Sequence, residues 1–85
     1  MKLIFCPHCH DIRKLGYDCR YCSCGESWGY YQNDGINAVV GGKAIPLGIE
    51  NSSLKRAIQG RPDQGIGSRI EAFVIPVECP TVRQD

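Results

Sequence analysis

Five of the six cysteines lie near the start of the chain, between Cys6 and Cys24. They form two groups, Cys6-Pro-His-Cys9 and Cys19-Arg-Tyr-Cys22-Ser-Cys24-Gly25. A gap of one or two residues inside a pair lets one tight turn present both sulfurs to a single ion. The spacing therefore predicts a metal site with four thiolate ligands.

Five cysteines compete for four ligand positions, so one of them is left out. Gly25 directly follows Cys24 and can adopt a positive φ, which helps the turn to aim its backbone N–H groups at sulfur. The alternative second pair, Cys19 with Cys22, has the commoner two-residue gap but is followed by Ser23. The preferred ligands are Cys6, Cys9, Cys22 and Cys24, with Cys19 as the replacement for one of the second pair.

Three further residues are possible donors. His8 and His10 lie in and beside the first turn, and zinc accepts nitrogen ligands, but both are expected to be exposed turn residues. Cys79 has no paired cysteine nearby and is expected to be a lone buried thiol.

A disulfide framework is the competing interpretation of a cysteine-rich small chain. It is disfavoured because Lys2–Phe5 runs directly into Cys6, with no charged segment and apolar stretch of the kind that directs secretion. No apolar run approaches the ~20 residues that span a bilayer. We therefore expect a soluble cytoplasmic protein with reduced thiols and no membrane partner.

The charge of the chain is nearly balanced, with ten Lys and Arg against nine Asp and Glu and a formal charge of +1. Four thiolates and one Zn²⁺ would bring the formal charge to about −1. Nucleic-acid binding through phosphates needs a concentrated basic surface, so a protein partner is favoured and a nucleic acid is the second possibility. The oligomeric state is left open. The candidate contact patch comprises Arg13, Lys14, Tyr17, Arg20 and Tyr21.

The apolar pattern and the turn formers predict a mixed α+β fold with mostly antiparallel strands. Asn33-Asp34-Gly35 is a strong hairpin signal, and Pro46 predicts an edge strand or a strand end because proline lacks an N–H. The predicted strands are Lys2–Phe5, Asp11–Leu15 (or an irregular arm), Ser27–Gln32, Asn37–Val40, Lys43–Leu47 as the continuation of a meander, and Arg69–Val77.

One short helix is predicted near residues 52–59, with Leu54, Ala57 and Ile58 forming an apolar stripe that packs into the core. Residues 61–68 read as a polar loop. The chain is expected to be a single domain, residues 1–85. Within it we expect a metal-binding head (1–32), a β-rich part (33–78) and a tail (79–85) that frays unless tied down.

The two cysteine turns resemble a zinc ribbon, the family in which turns at the tips of two β-hairpins clamp one zinc. Cys6-Pro-His-Cys9 and Cys22-Ser-Cys24-Gly25 carry the resemblance, and His10 departs from it by standing where the commonest ribbon turn has glycine. The rest of the chain is similar to small uncharacterised bacterial proteins with a cysteine-rich head, which implies no activity. The stretches concerned are Asp34-Gly-Ile-Asn-Ala38, Ala44-Ile-Pro-Leu-Gly48, Asn51-Ser-Ser-Leu54 and Phe73-Val-Ile-Pro76.

Four thiolates leave no open position on the metal for water or substrate, which argues against catalysis there. The predicted function is that of a non-catalytic protein with a structural zinc. Rubredoxin-like electron transfer through iron is the alternative, because spacing does not separate the two metals. A three-cysteine site with bound water, and His8, His10, Asp11 or Glu26 as general base, is the enzyme hypothesis.

Overall fold

The computed structural model describes all 85 residues and contains eight strands and one helix. This mixture confirms the predicted α+β class. In chain order the elements are β1 (Lys2–Phe5), β2 (Ile12–Lys14), β3 (Arg20–Tyr21), β4 (Ser27–Tyr31), β5 (Ala38–Gly42), β6 (Ile45–Ile49), α1 (Asn51–Gln59), β7 (Ala72–Val74) and β8 (Val82–Gln84).

The strands form two four-stranded sheets. The first has the order β2-β1-β6-β7 and is antiparallel throughout; the second has the order β3-β4-β5-β8, in which β8 runs parallel to β5. One cysteine turn connects β1 to β2 in the first sheet, and the other connects β3 to β4 in the second. The cysteines are thus delivered by two hairpins from different sheets.

The hydrophobic core lies between these sheets. Ile4 and Leu15 reach it from the first sheet, and Ala38, Val40 and Val82 reach it from the second. Ile4 is fully buried while its neighbours Leu3 and Phe5 are half-buried, as alternation along a strand requires. The predicted boundary at residue 32 stays a prediction, and both sheets contain strands from either side of it.

The tail, which was expected to fray unless tied down, is held by the second sheet. β8 pairs with β5, the Ala38 N–H donates to the Thr81 carbonyl at 2.9 Å, and the Asp85 N–H donates to the Val40 carbonyl at 2.8 Å. Val82 is also buried in the core. Parallel pairing with a distant strand leaves no local signal in the sequence, and here it ties the tail down.

The meander predicted to continue through Lys43–Leu47 is wrong, because the chain leaves the second sheet after β5 and enters the first sheet as β6. β6 lies between β1 and β7, so Pro46 is in a central strand rather than at an edge. Its carbonyl accepts the Ile75 N–H at 2.9 Å, one residue beyond the end of β7. The missing N–H of Pro46 therefore faces the side where the β6–β7 ladder stops.

The helix begins at Asn51, and Glu50 caps it. The Glu50 carboxylate accepts the N–H groups of Ser52 at 2.8 Å and Ser53 at 2.7 Å, and these hydrogen bonds lower its pKa.

No helix in the structure combines the length and apolar character needed to cross a membrane.

The apolar stripe of α1 does not pack into the core as predicted. Ile58 is 62% exposed, and Leu54 and Ala57 are half-buried. The helix is instead fastened at its first turn, where the Ser53 hydroxyl accepts the Glu71 N–H at 2.9 Å. A polar attachment at one end leaves the stripe free of the sheets.

The last predicted strand is shorter than expected. β7 covers Ala72–Val74 only, and residues 61–71 contain no regular secondary structure, which includes the predicted loop at 61–68.

The hairpin predicted at Asn33-Asp34-Gly35 is confirmed: it joins β4 to β5, Gly35 has a φ of 69°, and the Asp34 carboxylate accepts the Ile36 and Asn37 N–H groups.

Two glycines at the end of β5 shape the chain next to the second cysteine turn. Gly41 lies directly beneath the Trp28 ring, and Gly42 has a φ of 64° and would place a Cβ in overlap with the Glu26 carbonyl oxygen. The Lys43 N–H donates to the same oxygen at 2.9 Å. A side chain at residue 42 would therefore meet backbone as well as the cost of a left-handed conformation.

We predict that Gly42→Ala lowers the free energy of unfolding by about 2 kcal/mol or more, because a Cβ would overlap the Glu26 carbonyl and left-handed backbone is strained for alanine. Gly67→Ala is the matched control, since nothing lies within 4 Å of its Cβ position. Urea unfolding of the metal-loaded variants measures the difference, and equal stability of the two variants would contradict this account.

Candidate metal centre

The first cysteine turn closes the β1–β2 hairpin. The Cys6 N–H donates to the Asp11 carbonyl at 3.0 Å, and the His10 N–H donates to the Cys6 carbonyl at 2.7 Å. His10 has a φ of 61°, the left-handed conformation for which glycine is favoured. Its ring stacks on Phe5 with centroids 5.8 Å apart, and this contact helps to hold a residue other than glycine in the left-handed conformation.

The second turn closes the β3–β4 hairpin in a similar way. The Gly25 N–H donates to the Cys22 carbonyl at 3.0 Å, and the Cys22 N–H donates to the Ser27 carbonyl at 2.9 Å. Gly25 has the positive φ, 81°, that the sequence predicts. The Ser27 N–H points at the Cys22 sulfur at 3.3 Å, which is a hydrogen bond that favours a thiolate.

The two turns bring four sulfurs together. Their Sγ atoms lie within 4.8 Å of one another, with Cys24 at 3.7 Å from Cys6 and 3.4 Å from Cys22. A tetrahedron with metal–sulfur bonds of about 2.3 Å has edges of about 3.8 Å, whereas a disulfide bond is about 2.05 Å long. All six cysteines are free thiols. The cluster of Cys6, Cys9, Cys22 and Cys24 therefore has the spacing of a metal site.

The remaining cysteines do not join this cluster. Cys19 is exposed just before β3 and is not among the clustered sulfurs, so the alternative pair of Cys19 with Cys22 is not formed. Cys79 is half-buried against the core, with its sulfur 3.4 Å from the Thr81 hydroxyl oxygen.

Burial differs across the cluster. Cys6 and Cys22, the first cysteine of each turn, are buried, whereas Cys9 is half-buried and Cys24 is exposed. The site is closed on its core side and reaches the surface at Cys24. A metal here would be anchored in the interior by two ligands and held from outside by the other two.

The four thiols do not ionise independently. Burial raises the pKa of Cys22, but hydrogen bonds from the Ser27 N–H and the neighbouring thiols outweigh it and lower the pKa to about 6. The Glu26 N–H acts to lower the pKa of Cys24, yet burial and the other thiols raise that pKa to about 12. Burial opposes ionisation of Cys6 too, but the Ser27 hydroxyl lowers its pKa. A divalent cation is what allows all four to be thiolates together.

The surroundings of Cys6 fit a bound metal. The Ser27 hydroxyl is fully buried and has no oxygen or nitrogen partner, and it lies beside the Cys6 sulfur. A buried hydroxyl without an acceptor is costly, and a metal-bound thiolate would be a strong acceptor for it. The two turns would supply four thiolates, and Ser27 would donate to them through its hydroxyl and its N–H.

Asp11 connects one cysteine turn to the other. Its Oδ2 accepts the Ser23 N–H and the Ser23 hydroxyl, both at 2.9 Å, and also the Arg13 Nε–H at 2.8 Å. These hydrogen bonds, the Ser23 hydroxyl first, lower the pKa of Asp11. The sequence indicates Asp11 as the start of a strand and as a possible general base but not as this link, because a contact between residues in separate hairpins has no signature in spacing.

The two histidines occupy the surface near the turns, as predicted. His8 Nδ1 lies 3.4 Å from Glu26 Oε2, and Lys43 Nζ lies 3.3 Å from the same oxygen. His8, Cys24 and Glu26 form a second, fully exposed group of potential ligands. The four-sulfur cluster is favoured over it because two of its ligands are buried and no cation competes for them.

Comparison with protein-family models, curated proteins and solved structures finds no match to this chain.

We predict that Asp11→Ala weakens metal binding by about 10–100-fold, the usual effect of removing a residue that orients metal ligands. The expected cause is release of the Ser23 N–H and hydroxyl, which frees the second turn from the first. Asp85→Ala is the matched control, because Asp85 pairs with Arg83 on the surface and neither residue belongs to the four-sulfur cluster. Competition with a chromophoric chelator measures the affinities, and unchanged binding by the Asp11 variant would contradict the orienting role.

Proposed function

We propose that this is a non-catalytic zinc-binding protein, in which one structural zinc on Cys6, Cys9, Cys22 and Cys24 fixes two hairpins and thereby supports a protein-binding surface. The observation that carries the proposal is the meeting of four sulfurs, from turns of two different sheets, at the edge lengths of a tetrahedron. Four thiolates complete the coordination of zinc, so the proposed role is structural rather than catalytic.

Zinc is proposed over iron because of the surroundings of the outer ligands. Cys24 is exposed and Cys9 is half-buried, which leaves one side of the cluster open to water. Zinc does not change its oxidation state and needs no apolar shield for a structural role, whereas burial and hydrogen bonding set the reduction potential of an iron–thiolate site. Electron transfer through iron is the second candidate.

A protein partner is proposed because the first sheet has an apolar outer face. The register places Phe5 opposite both Ile12 and Ile45, and Leu47 opposite Val74, on the side away from the buried Ile4. Ile12 is 53% exposed and Val74 is 66% exposed, so both edges of this face are open. The face suits apolar side chains of another protein rather than phosphates.

We predict one zinc per chain in the purified protein, and its loss from Cys6→Ser and Cys24→Ser but not from Cys19→Ser, the control cysteine outside the cluster. Chelation is expected to lower the free energy of unfolding by several kcal/mol, because metal-binding energy is folding energy in small domains. Native mass spectrometry gives the metal content and urea unfolding the stability. Loss of metal from the Cys19 variant alone would refute the ligand set, and a red protein with thiolate-to-iron absorption would establish iron instead.

We predict that Ile12→Lys abolishes proximity labelling of the protein partner, because a charge would enter the middle of an apolar contact. Ile66→Lys is the control, since Ile66 is 97% exposed in a loop outside this face. Proximity labelling of the tagged protein in cells, followed by mass spectrometry, compares the two variants with the original chain. Proteins that all three label equally are not partners of this face, and a profile unchanged by Ile12→Lys would refute it.

A further inference from the structure

A cavity of about 490 Å³ opens beside the reversal that follows β2, away from the four sulfurs. Its volume is in the range of small-molecule sites. The residues that matter for its chemistry are Lys14, Gly16, Tyr17, Arg20, Tyr31 and Gly35. Only three of the five residues in the sequence-derived contact patch line it: Arg13 is turned to Asp11, and Tyr21 lies opposite Trp28 in the second sheet.

Two cationic side chains line this cavity without a counter-charge, and the ammonium group of Met1, which also lines it, donates to the Ile49 carbonyl and the Asn51 side chain. Neither Lys14 nor Arg20 forms any of the five ion pairs of the protein, and no residue lining the cavity is acidic. The Arg20 guanidinium lies against Gly16, where a Cβ would be only 3.0–3.4 Å from it. Gly16 thus gives the guanidinium room at the wall of the cavity, where its planar fork suits a phosphate.

Aromatic rings form another wall. Tyr17 is 67% exposed, and its ring lies 6.4 Å from that of Tyr31, tilted by 49°. The Tyr31 hydroxyl accepts the Lys2 N–H at 2.8 Å, and the Tyr17 hydroxyl lies beside Gly35, 2.8 Å from where a Cβ would stand. Tyr31 is therefore held by the backbone, Tyr17 lies against Tyr31 and Gly35, and the exposed face of Tyr17 is open to a planar group.

We propose that this cavity binds a ligand of the mononucleotide class, with its phosphate between Lys14 and Arg20 and its base against Tyr17. The volume fits one nucleotide, and the absence of acidic residues from the lining favours an anion. The site shares no residue with the metal cluster, and of its two cationic side chains only Lys14, which lies opposite Leu3, is on the apolar outer face of the first sheet. It is a ligand site in addition to the proposed function, and its test is independent of a protein partner.

Titration of the zinc-loaded protein with AMP, adenosine and inorganic phosphate, followed by NMR, tests the proposal. AMP is expected to bind at least about tenfold more tightly than either fragment and to shift the resonances of Lys14, Tyr17 and Arg20, because it alone uses both walls. A 5′-phosphorylated single-stranded oligonucleotide tests the other source of the same chemistry. Tighter binding of AMP than of the strand supports a free nucleotide, and the reverse result overturns that assignment.

The variants separate a built site from general attraction to positive charge. Arg20→Gln and Lys14→Gln are each expected to weaken AMP binding about tenfold, while Arg69→Gln, which removes an equal charge from an exposed loop, leaves it unchanged. Lys14 lies on an edge strand outside the second cysteine turn, so the Lys14→Gln variant tests the site even if the Arg20→Gln variant fails to fold. No saturable AMP binding, or an equal effect of all three variants, overturns the proposal.

Discussion

The meeting of two cysteine turns is the constraint on which the rest of the structure depends. Each turn ends a hairpin of a different sheet, so a metal between them would join the sheets at one end while the Ile4–Val40 core joins them in the middle. The core is small, as expected for a chain of this length, and supplies little stability alone. Cross-linking by a metal would therefore do for this fold what a larger core does elsewhere.

The polar groups near the sulfurs follow from that constraint. Four thiols this close cannot all ionise without a cation, since charging Cys22 makes charging Cys24 harder. The donors around them are arranged for the charged form: the Ser27 N–H and hydroxyl face sulfur, and Asp11 holds the second turn against the first. This arrangement suits bound thiolates best, because a thiolate would be a stronger acceptor for the buried Ser27 hydroxyl than a neutral thiol.

What the sequence could predict is local. Cysteine spacing, the positive φ of Gly25, the turn at Asp34-Gly35 and the position of α1 all depend on residues close together in the chain. What it missed is non-local: the parallel pairing of β8, the passage of β6 into the other sheet and the contact of Asp11 with Ser23. Periodicity gave the apolar stripe of α1 correctly, but whether a partner surface exists to bury it is a property of the whole fold.

The aromatic and cationic residues around β3 lie on two different faces of the protein. Tyr21 and Trp28 are paired across β3 and β4, and Trp28 stacks on Tyr30, so these aromatics cover the second sheet. Lys14 and Arg20 instead line the cavity, which contains none of the four clustered cysteines. The candidate contact patch, whose residues are close together in sequence, is thus divided between two faces. The division arises because Arg20 and Tyr21 are neighbours on a strand and point to opposite sides. The cavity lies apart from the sulfurs, so a ligand bound in it would not contact the metal. A metal would still help to position the strands that carry the lining residues.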